Sequence, residues 1–290
     1  MKFLELSGEE ILLWRKQLLA KGGNAVDLDW LLDIGGGVGW SLLQKIHIDP
    51  RRSLKLNQPL EYLEALWKRH LEQQIPLQYL VGICPWRDFE LEVSPSALIP
   101  RQETEILVDL ALQKFDNRFL GIWADLGTGS GALAIALSRS LPVSNGLAVD
   151  CSKEALDLAQ RNLTRLAPSA KVSLHLGNWW EPLKPWWGSI SLVVANPPYI
   201  PSLVLDELEP IIRENEPYIA LCGGSDGLEA CREIVDGSFN AMSKEGWLFL
   251  EHHHDQSDAV VGLMKESGLK DVACETDLQG IKRFALGRHP

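Results

Sequence analysis

One glycine-rich loop, set at a strand-to-helix junction, constrains this chain more than any other feature. Asp125-Leu-Gly127-Thr-Gly129-Ser-Gly131 follows a short apolar run at 121–126 and opens a helical segment at 132–141. A helical segment at 104–115 comes before it. After it come a strand at 147–149 ending in Asp150, a helix at 153–166, and strands at 172–176 and 190–195. Regular β-α alternation predicts an α/β unit with a parallel, doubly wound sheet and helices on both faces. Ligands of such sheets bind outside the carboxyl ends of the strands, near the switch in strand order. The places to look are therefore after Leu126, at Asp150, after Leu176 and after Ala195.

Gly127, Gly129 and Gly131 permit a tight turn and let a ligand lie against the backbone at a helix start. Asp150, nineteen positions beyond Gly131, is placed to accept hydrogen bonds from both hydroxyls of a ribose. The pattern D-x-G-x-G-x-G differs from G-x-G-x-x-G and suits a nucleoside without a pyrophosphate. The same pattern occurs earlier, from Asp33 to Gly39, with Asp49 ending an apolar stretch. The segment before it reads as an amphipathic helix. Asp49 follows Gly39 by only ten positions, whereas a parallel crossover needs about a dozen or more residues. This earlier loop is expected to connect helices.

The strand at 190–195 runs into Asn196-Pro197-Pro198-Tyr199. The side-chain oxygen of Asn196 and the carbonyl of Pro197 can each accept one hydrogen from a planar NH2 group. Proline's fixed φ aims these acceptors before a substrate arrives. Tyr199 offers a face for a flat amide or base. Two acceptors pulling on both hydrogens help draw the nitrogen lone pair out of conjugation and toward an electrophile.

The first third has a different rhythm. Ser7 with Glu10 reads as a capping box, followed by a helix at 11–19 that Gly22-Gly23 stops. Another apolar run covers 26–32, and a third helix 60–71. Phe89, Leu91 and Val93 alternate with Asp88, Glu90 and Glu92, which places a linking hairpin at 81–95. Charge divides the chain similarly. Residues 1–80 hold ten basic and ten acidic side chains, so the rest carries the whole net charge of −11. That excess opposes polyanion binding, and neither nucleic acid nor membrane is expected as a partner. No run nears the ~20 apolar residues that span a bilayer. The acidic start does not read as a signal peptide. Five scattered cysteines without a C-x-x-C fit a reducing cytoplasm.

Taken together, the glycine loop and the Asn-Pro-Pro-Tyr hook resemble class I S-adenosylmethionine-dependent amino-methyltransferases. Flanking residues narrow the likeness. They are Ile99-Pro-Arg-Gln-Glu-Thr-Glu105, Trp86-Arg87, Gly177-Asn-Trp179, Glu216-Pro-Tyr-Ile-Ala-Leu221 and Gly223-Gly-Ser-Asp-Gly227, with Leu28-Asp-Trp-Leu-Leu32 and Pro76-Leu-Gln-Tyr-Leu80 upstream. In that order they resemble the HemK/PrmC family of peptide chain release factor glutamine N5-methyltransferases. The resemblance implies a Rossmann-like methyltransferase domain at 96–290 with a doubly wound mixed sheet. A small all-α substrate-recognition domain at 1–80 and the hairpin linker at 81–95 would precede it. It implies methyl transfer from S-adenosylmethionine to the glutamine amide in the Gly-Gly-Gln motif of class I release factors. Gly127, Thr128, Gly129, Ser130, Gly131, Asp150, Trp179 and Asn196 would line the cofactor pocket. Asn196, Pro197, Pro198 and Tyr199 would hold the amide, with Asn196, Pro197 and Tyr199 as the catalytic set. Arg101, Glu103 and Thr104 would lie on the lip of the cleft. The implied chemistry is direct displacement at a sulfonium methyl, with no metal and no covalent enzyme intermediate. The chain departs from the family pattern at Gln102 (usually Pro), at Asn178 (usually Asp) and at His252-His253-His254, where a Gly generally stands near position 253.

Other targets compatible with the same motifs are a ribosomal-protein glutamine or an exocyclic nucleobase amine, the latter opposed by the negative charge. A nicotinamide-dependent oxidoreductase shares the glycine loop but has no use for the hook. A non-catalytic binding protein would not need Asn196 and Tyr199 intact. Neighbouring strand residues face opposite ways, so the three histidines make a poor metal site and read as a solvated strand end. Trp179-Trp180 and Trp186-Trp187 are compatible with packing or with a partner surface. Glu207, Glu209, Glu214 and Glu216 are compatible with a solvated face or with attraction to a basic protein loop.

Overall fold

The capping box at Ser7 forms: its Oγ accepts from the Glu10 amide at 3.3 Å, and the Glu10 carboxylate accepts from the Ser7 amide at 2.8 Å. The computed structural model describes residues 4–290. They divide into one unit that runs up to Ile83 and includes Pro210–Asn215, and another of Cys84–Glu209 with Glu216–Pro290.

In the first unit, helices Gly8–Leu19, Ala25–Trp30, Trp40–Ile48, Leu60–Gln73 and Leu77–Val81 enclose a core that includes Ile11, Leu28, Leu32, Leu63 and Trp67. The expected all-helical unit also contains a two-stranded antiparallel ribbon, β1 (Leu4–Ser7) with β2 (Ser53–Leu56). Asp33–Gly39 leads from one helix to the next, as the spacing predicts, although Asp33 to Gly35 still belong to a π-helical turn at Leu31–Gly35 that extends the first helix. Two glycines of this segment serve packing, since a Cβ on Gly36 would stand 3.2 Å from Leu56 and Leu63 and one on Gly37 would overlap Asn57, while Gly39 takes φ 80° at the start of the next helix. No ligand approach is needed to explain them.

The second unit begins in a hairpin, β3 (Ile83–Trp86) with β4 (Phe89–Glu92). Its sheet contains β5 (Ile122–Leu126), β6 (Asn145–Asp150), β7 (Val172–Leu176), β8 (Ile190–Ala195), β9 (Met242–Glu251), β10 (Lys270–Thr276) and β11 (Lys282–Arg288). The strand order is β10-β11-β9-β8-β5-β6-β7. β5, β6, β7, β8 and β9 run parallel, and β11 is antiparallel to both β9 and β10. Ala124, Leu126, Val149, Val193, Ala195, Leu248 and Leu250 are buried, as strands covered on both faces require. Helices Ala132–Ser140, Lys153–Leu166, Glu229–Ala241 and Ser257–Glu266 supply buried apolar faces around this sheet. The chain moves outward from β5 to β7, then returns to place β8 on β5's other side. The switch point thus lies between β5 and β8, where a ligand crevice belongs. Among the described residues no helix is long and apolar enough to cross a membrane.

Candidate active site

Beyond the end of β5, Gly127, Gly129 and Gly131 all take left-handed backbone angles, φ 78°, 55° and 86°. The turn is pinned from below, since the amides of Gly127 and Thr128 both donate to the Val149 carbonyl at 2.9 Å. Asp125 lies beneath it, fully buried. Its Oδ2 accepts from Thr128 Oγ1 at 2.6 Å and from the Ala134 amide at 3.1 Å. Burial pushes this carboxyl up to about 7, against those two bonds. A Cβ on Gly131 would press on the Ala159 backbone at 3.3 Å, so this glycine lets two helices approach. A Cβ on Gly129 would meet only Ala97, at 3.8 Å. Gly129 therefore leaves room on the cleft side.

Asp150 ends the neighbouring strand. Its two oxygens accept from the amides of Gly129 and Ser152, each at 2.9 Å. Each oxygen keeps a further lone pair, so the carboxylate can also receive a ligand's hydroxyls. Burial raises its pKa, with those amides acting the other way. Trp179 follows β7 in a left-handed conformation, φ 40°. Its ring stands beside Gly127, where a Cβ would come within 3.3 Å of it.

Asn196 leaves the end of β8 half-buried. Its Nδ2 donates to Thr104 Oγ1 at 2.9 Å, and Thr104 in turn donates to Glu251 Oε2 at 2.7 Å. Segment 221–227 fixes the backbone of the hook. The Ile200 amide donates to the Leu221 carbonyl at 3.0 Å, and the Gly223 amide to the Ile200 carbonyl at 2.8 Å. Glycine is required at two positions there: a Cβ on Gly223 would lie 2.8 Å from the Pro198 oxygen, and one on Gly227 only 2.3 Å from the Tyr199 oxygen. Buried Gln256 donates from Nε2 to the carbonyls of Tyr199 and Gly227 at 3.0 and 3.2 Å. Burial of the Tyr199 phenol pushes its pKa up.

These elements share one cavity of about 350 Å³, within the range of small-ligand sites, ~300–1,000 Å³. Its wall includes Arg101, Thr104, Gly127, Thr128, Gly129, Ser130, Asp150, Trp179, Asn196 and Pro198. Glu103, Gly131, Pro197 and Tyr199 stand outside this wall. Gly131 packs behind the loop, and Pro197, within the hook, is buried. Thr104 departs from the expected lip position: it is buried, its hydroxyl tied between Asn196 and Glu251. Arg101 Nη2 reaches both oxygens of buried Glu216 at 2.9 Å, which removes Glu216 from the solvated acidic run. Glu207, Glu209 and Glu214 are exposed.

Of the departures, Asn178 lines the cavity and Gln102 is exposed. The three histidines differ in setting, although the His253 and His254 rings lie against each other with centroids 4.1 Å apart. His252 is buried, with Nδ1 at 2.8 Å from the His253 carbonyl; His253 pairs with Asp255; the Tyr199 and His253 rings lie 6.0 Å apart. Trp180 is buried and donates to the Ile234 carbonyl at 2.9 Å, while Trp187 is exposed. Sequence reasoning missed Glu251, Gln256 and Asn162 as supports of the site. Asn162 is fully buried, and its Nδ2 donates to the carbonyls of Ser130 and Glu92 at 3.0 and 2.9 Å, holding the glycine loop to the hairpin.

Residues 101–216, which contain both the loop and the hook, match the family model described as Methyltransferase small domain. Sheet order, glycine cradle and hook together make this unit a Rossmann-like methyltransferase. Solved structures agree on the fold. A methyltransferase from Pyrococcus furiosus aligns with a TM-score of 0.50 at 17% identity, over 68% of this chain and 87% of that one. The hMettl16 catalytic domain aligns with a TM-score of 0.54 at 15% identity, over 81% and 84%. Closer in sequence are curated proteins named release factor glutamine methyltransferase. The one from Prochlorococcus marinus is 59% identical over 98% of both chains. That from Thermosynechococcus vestitus is 43% identical over 83% of each, and that from Synechocystis is 35% identical over 98% of this chain and 97% of its own. The chain belongs to the release factor glutamine methyltransferase family.

Proposed function

We propose that this protein transfers a methyl group from S-adenosylmethionine to the side-chain amide nitrogen of the glutamine in the Gly-Gly-Gln motif of class I peptide chain release factors, in the cytoplasm. One observation carries the reading: the glycine cradle after β5 and the Asn196 hook after β8 open into a single cavity at the switch point of the sheet. A nucleoside site and an amide-holding site are thereby adjacent.

The cavity fits such a cofactor. Gly129 leaves cleft space that a Cβ would occupy, Asp150 retains lone pairs for the ribose hydroxyls, and the Trp179 ring offers a face for the adenine. S-adenosylmethionine supplies a methyl group on a positively charged sulfur. The protein's task is to hold and aim the nucleophile. An amide nitrogen is a poor one, because its lone pair is delocalised into the carbonyl. Asn196 Oδ1 and the Pro197 carbonyl take the two amide hydrogens, and Tyr199 stacks on the amide plane. Acceptors that bind the developing cationic nitrogen more strongly than the neutral amide lower the barrier. Proline rigidity, the glycine contacts at 223 and 227 and the Gln256 bonds hold the hook in one shape, so little reorganisation remains at reaction. The helical unit, read as residues 1–80, is assigned to gripping the release factor, with 81–95 as the linker and 96–290 as the catalytic domain.

Transfer of labelled methyl to a purified release factor tests this reading. Label should appear when the Gly-Gly-Gln glutamine is intact and vanish when it is changed to alanine. Label on both forms, or on RNA in their place, would overturn the substrate assignment.

A further inference from the structure

The Asn196 amide can present either of its edges to the cleft, and only the oxygen edge can accept a hydrogen from a substrate NH2. We infer that Glu251 and Thr104 are positioning residues that fix this choice, a reading that rests on the function proposed above. The geometry runs in one direction. Thr104 has a single hydroxyl hydrogen, which goes to Glu251 Oε2 at 2.7 Å. Its oxygen is then left as an acceptor, and only the Nδ2 edge of Asn196 can meet it, at 2.9 Å. Oδ1 is thereby turned away from Thr104 and left for the substrate.

Two further features point the same way. Thr104 stands at the N-cap of helix Glu105–Leu112, yet its side chain makes no capping bond. Its hydroxyl is committed instead to the chain that runs from Asn196 to Glu251. Glu251 is 2% exposed at the end of β9, one residue past Leu250, which pairs with Ala195 just before Asn196. Burying a carboxyl there is unfavourable for folding, and an apolar residue would fill the place. Ionised, this carboxylate can only accept, and it is the ionised form that fixes the direction of the relay.

The test compares Thr104→Val, Thr104→Ser and the double variant Thr104→Val/Glu251→Leu. The double variant removes both buried polar partners, and so avoids leaving one of them orphaned. Thr104→Val and the double variant should lower kcat for methyl transfer to the release factor 10- to 100-fold. KM for the release factor and Kd for S-adenosylmethionine should stay within about threefold of wild type. Thr104→Ser keeps the hydroxyl and should rescue most of kcat. The double variant should melt within a few degrees of wild type, so that lost activity cannot be ascribed to unfolding. Independently of activity, the side-chain NH2 protons of Asn196 should exchange with water faster in the double variant than in wild type or Thr104→Ser. A folded double variant with wild-type kcat, a serine variant as impaired as the valine one, or unchanged exchange at Asn196 would each overturn the inference. If wild-type protein failed to methylate any release factor, the substrate reading would fall, and the exchange measurement would still decide the positioning role.

Discussion

Trp179 holds a bulky side chain at φ 40°, beside Gly127 in the cofactor cleft. A residue with a Cβ is disfavoured there by roughly 1–2 kcal/mol, and such strain concentrates at ligand sites. Trp179→Ala removes the ring and keeps the strain. Trp179→Gly removes both, but gives the unfolded chain extra freedom worth about 0.4–1 kcal/mol. The difference leaves the glycine variant more stable than the alanine variant by about 0.5–1 kcal/mol. Elsewhere in ordered structure glycine loses to alanine by a similar amount. Equilibrium urea denaturation reads the order directly. Calorimetric titration with S-adenosylmethionine should show both variants weakened to a similar degree, by roughly 1–3 kcal/mol for a lost base–aromatic stack, or about 5- to 150-fold. An alanine variant more stable than the glycine variant would refute the strain argument. Unchanged cofactor affinity in both would refute the stacking role.

Gly227→Ala drives a Cβ to within 2.3 Å of the Tyr199 carbonyl at φ 77°. Methyl transfer should fall at least 100-fold, with cofactor affinity changed less than threefold, as kinetics and calorimetry would show. Gly131→Ala and Gly129→Ala share a left-handed backbone penalty, but only the former presses on the Ala159 backbone. Urea denaturation should rank Gly131→Ala as the less stable by at least about 1 kcal/mol. Burial lifts the Glu251 carboxyl to about 7, over the opposing effects of the Thr104 bond and of Arg283 and Arg101. A raised carboxyl binds its proton more tightly in the folded state, so the stability tied to it is present at low pH and lost as pH rises from about 4.5 through about 7. Glu251→Gln cannot ionise. Its stability relative to wild type should therefore rise across that window by about 3 kcal/mol, and denaturation curves giving a flat difference from pH 4 to 8 would contradict the assignment.

Much of this site was legible because its marks are local. Gly127, Gly129 and Gly131 need positive φ, and Asp150 closes the next strand at a distance that the crossover sets. The hook at 196–199 announces itself through two prolines. The decoy at 33–39 shows how far a pattern reaches: the same spacing of glycines there relieves contacts with Leu56, Leu63 and Asn57, and only the elements around it tell the two uses apart. What the sequence concealed depends on distant partners. Glu251 meets Thr104 across 147 positions, Gln256 meets Tyr199 across 57, and Asn162 meets Glu92 across 70. No local rule marks a Glu, Gln or Asn for such work. The ribbon of β1 and β2 was hidden likewise, because each strand is four residues long and its partner lies some fifty residues away. The lip position of Thr104 came from the family resemblance alone, and its burial follows from its bonds to Asn196 after β8 and to Glu251 at the end of β9.

Methyl transfer to an amide depends on where the hook points when the cofactor is in place. A crystal structure of the protein with S-adenosylmethionine measures it. The sulfonium methyl should lie across open cleft from Asn196 Oδ1, close enough for one amide nitrogen to stand between them. The ribose hydroxyls should sit on Asp150. A methyl group directed away from Asn196, or walled off from it by protein, would contradict the account.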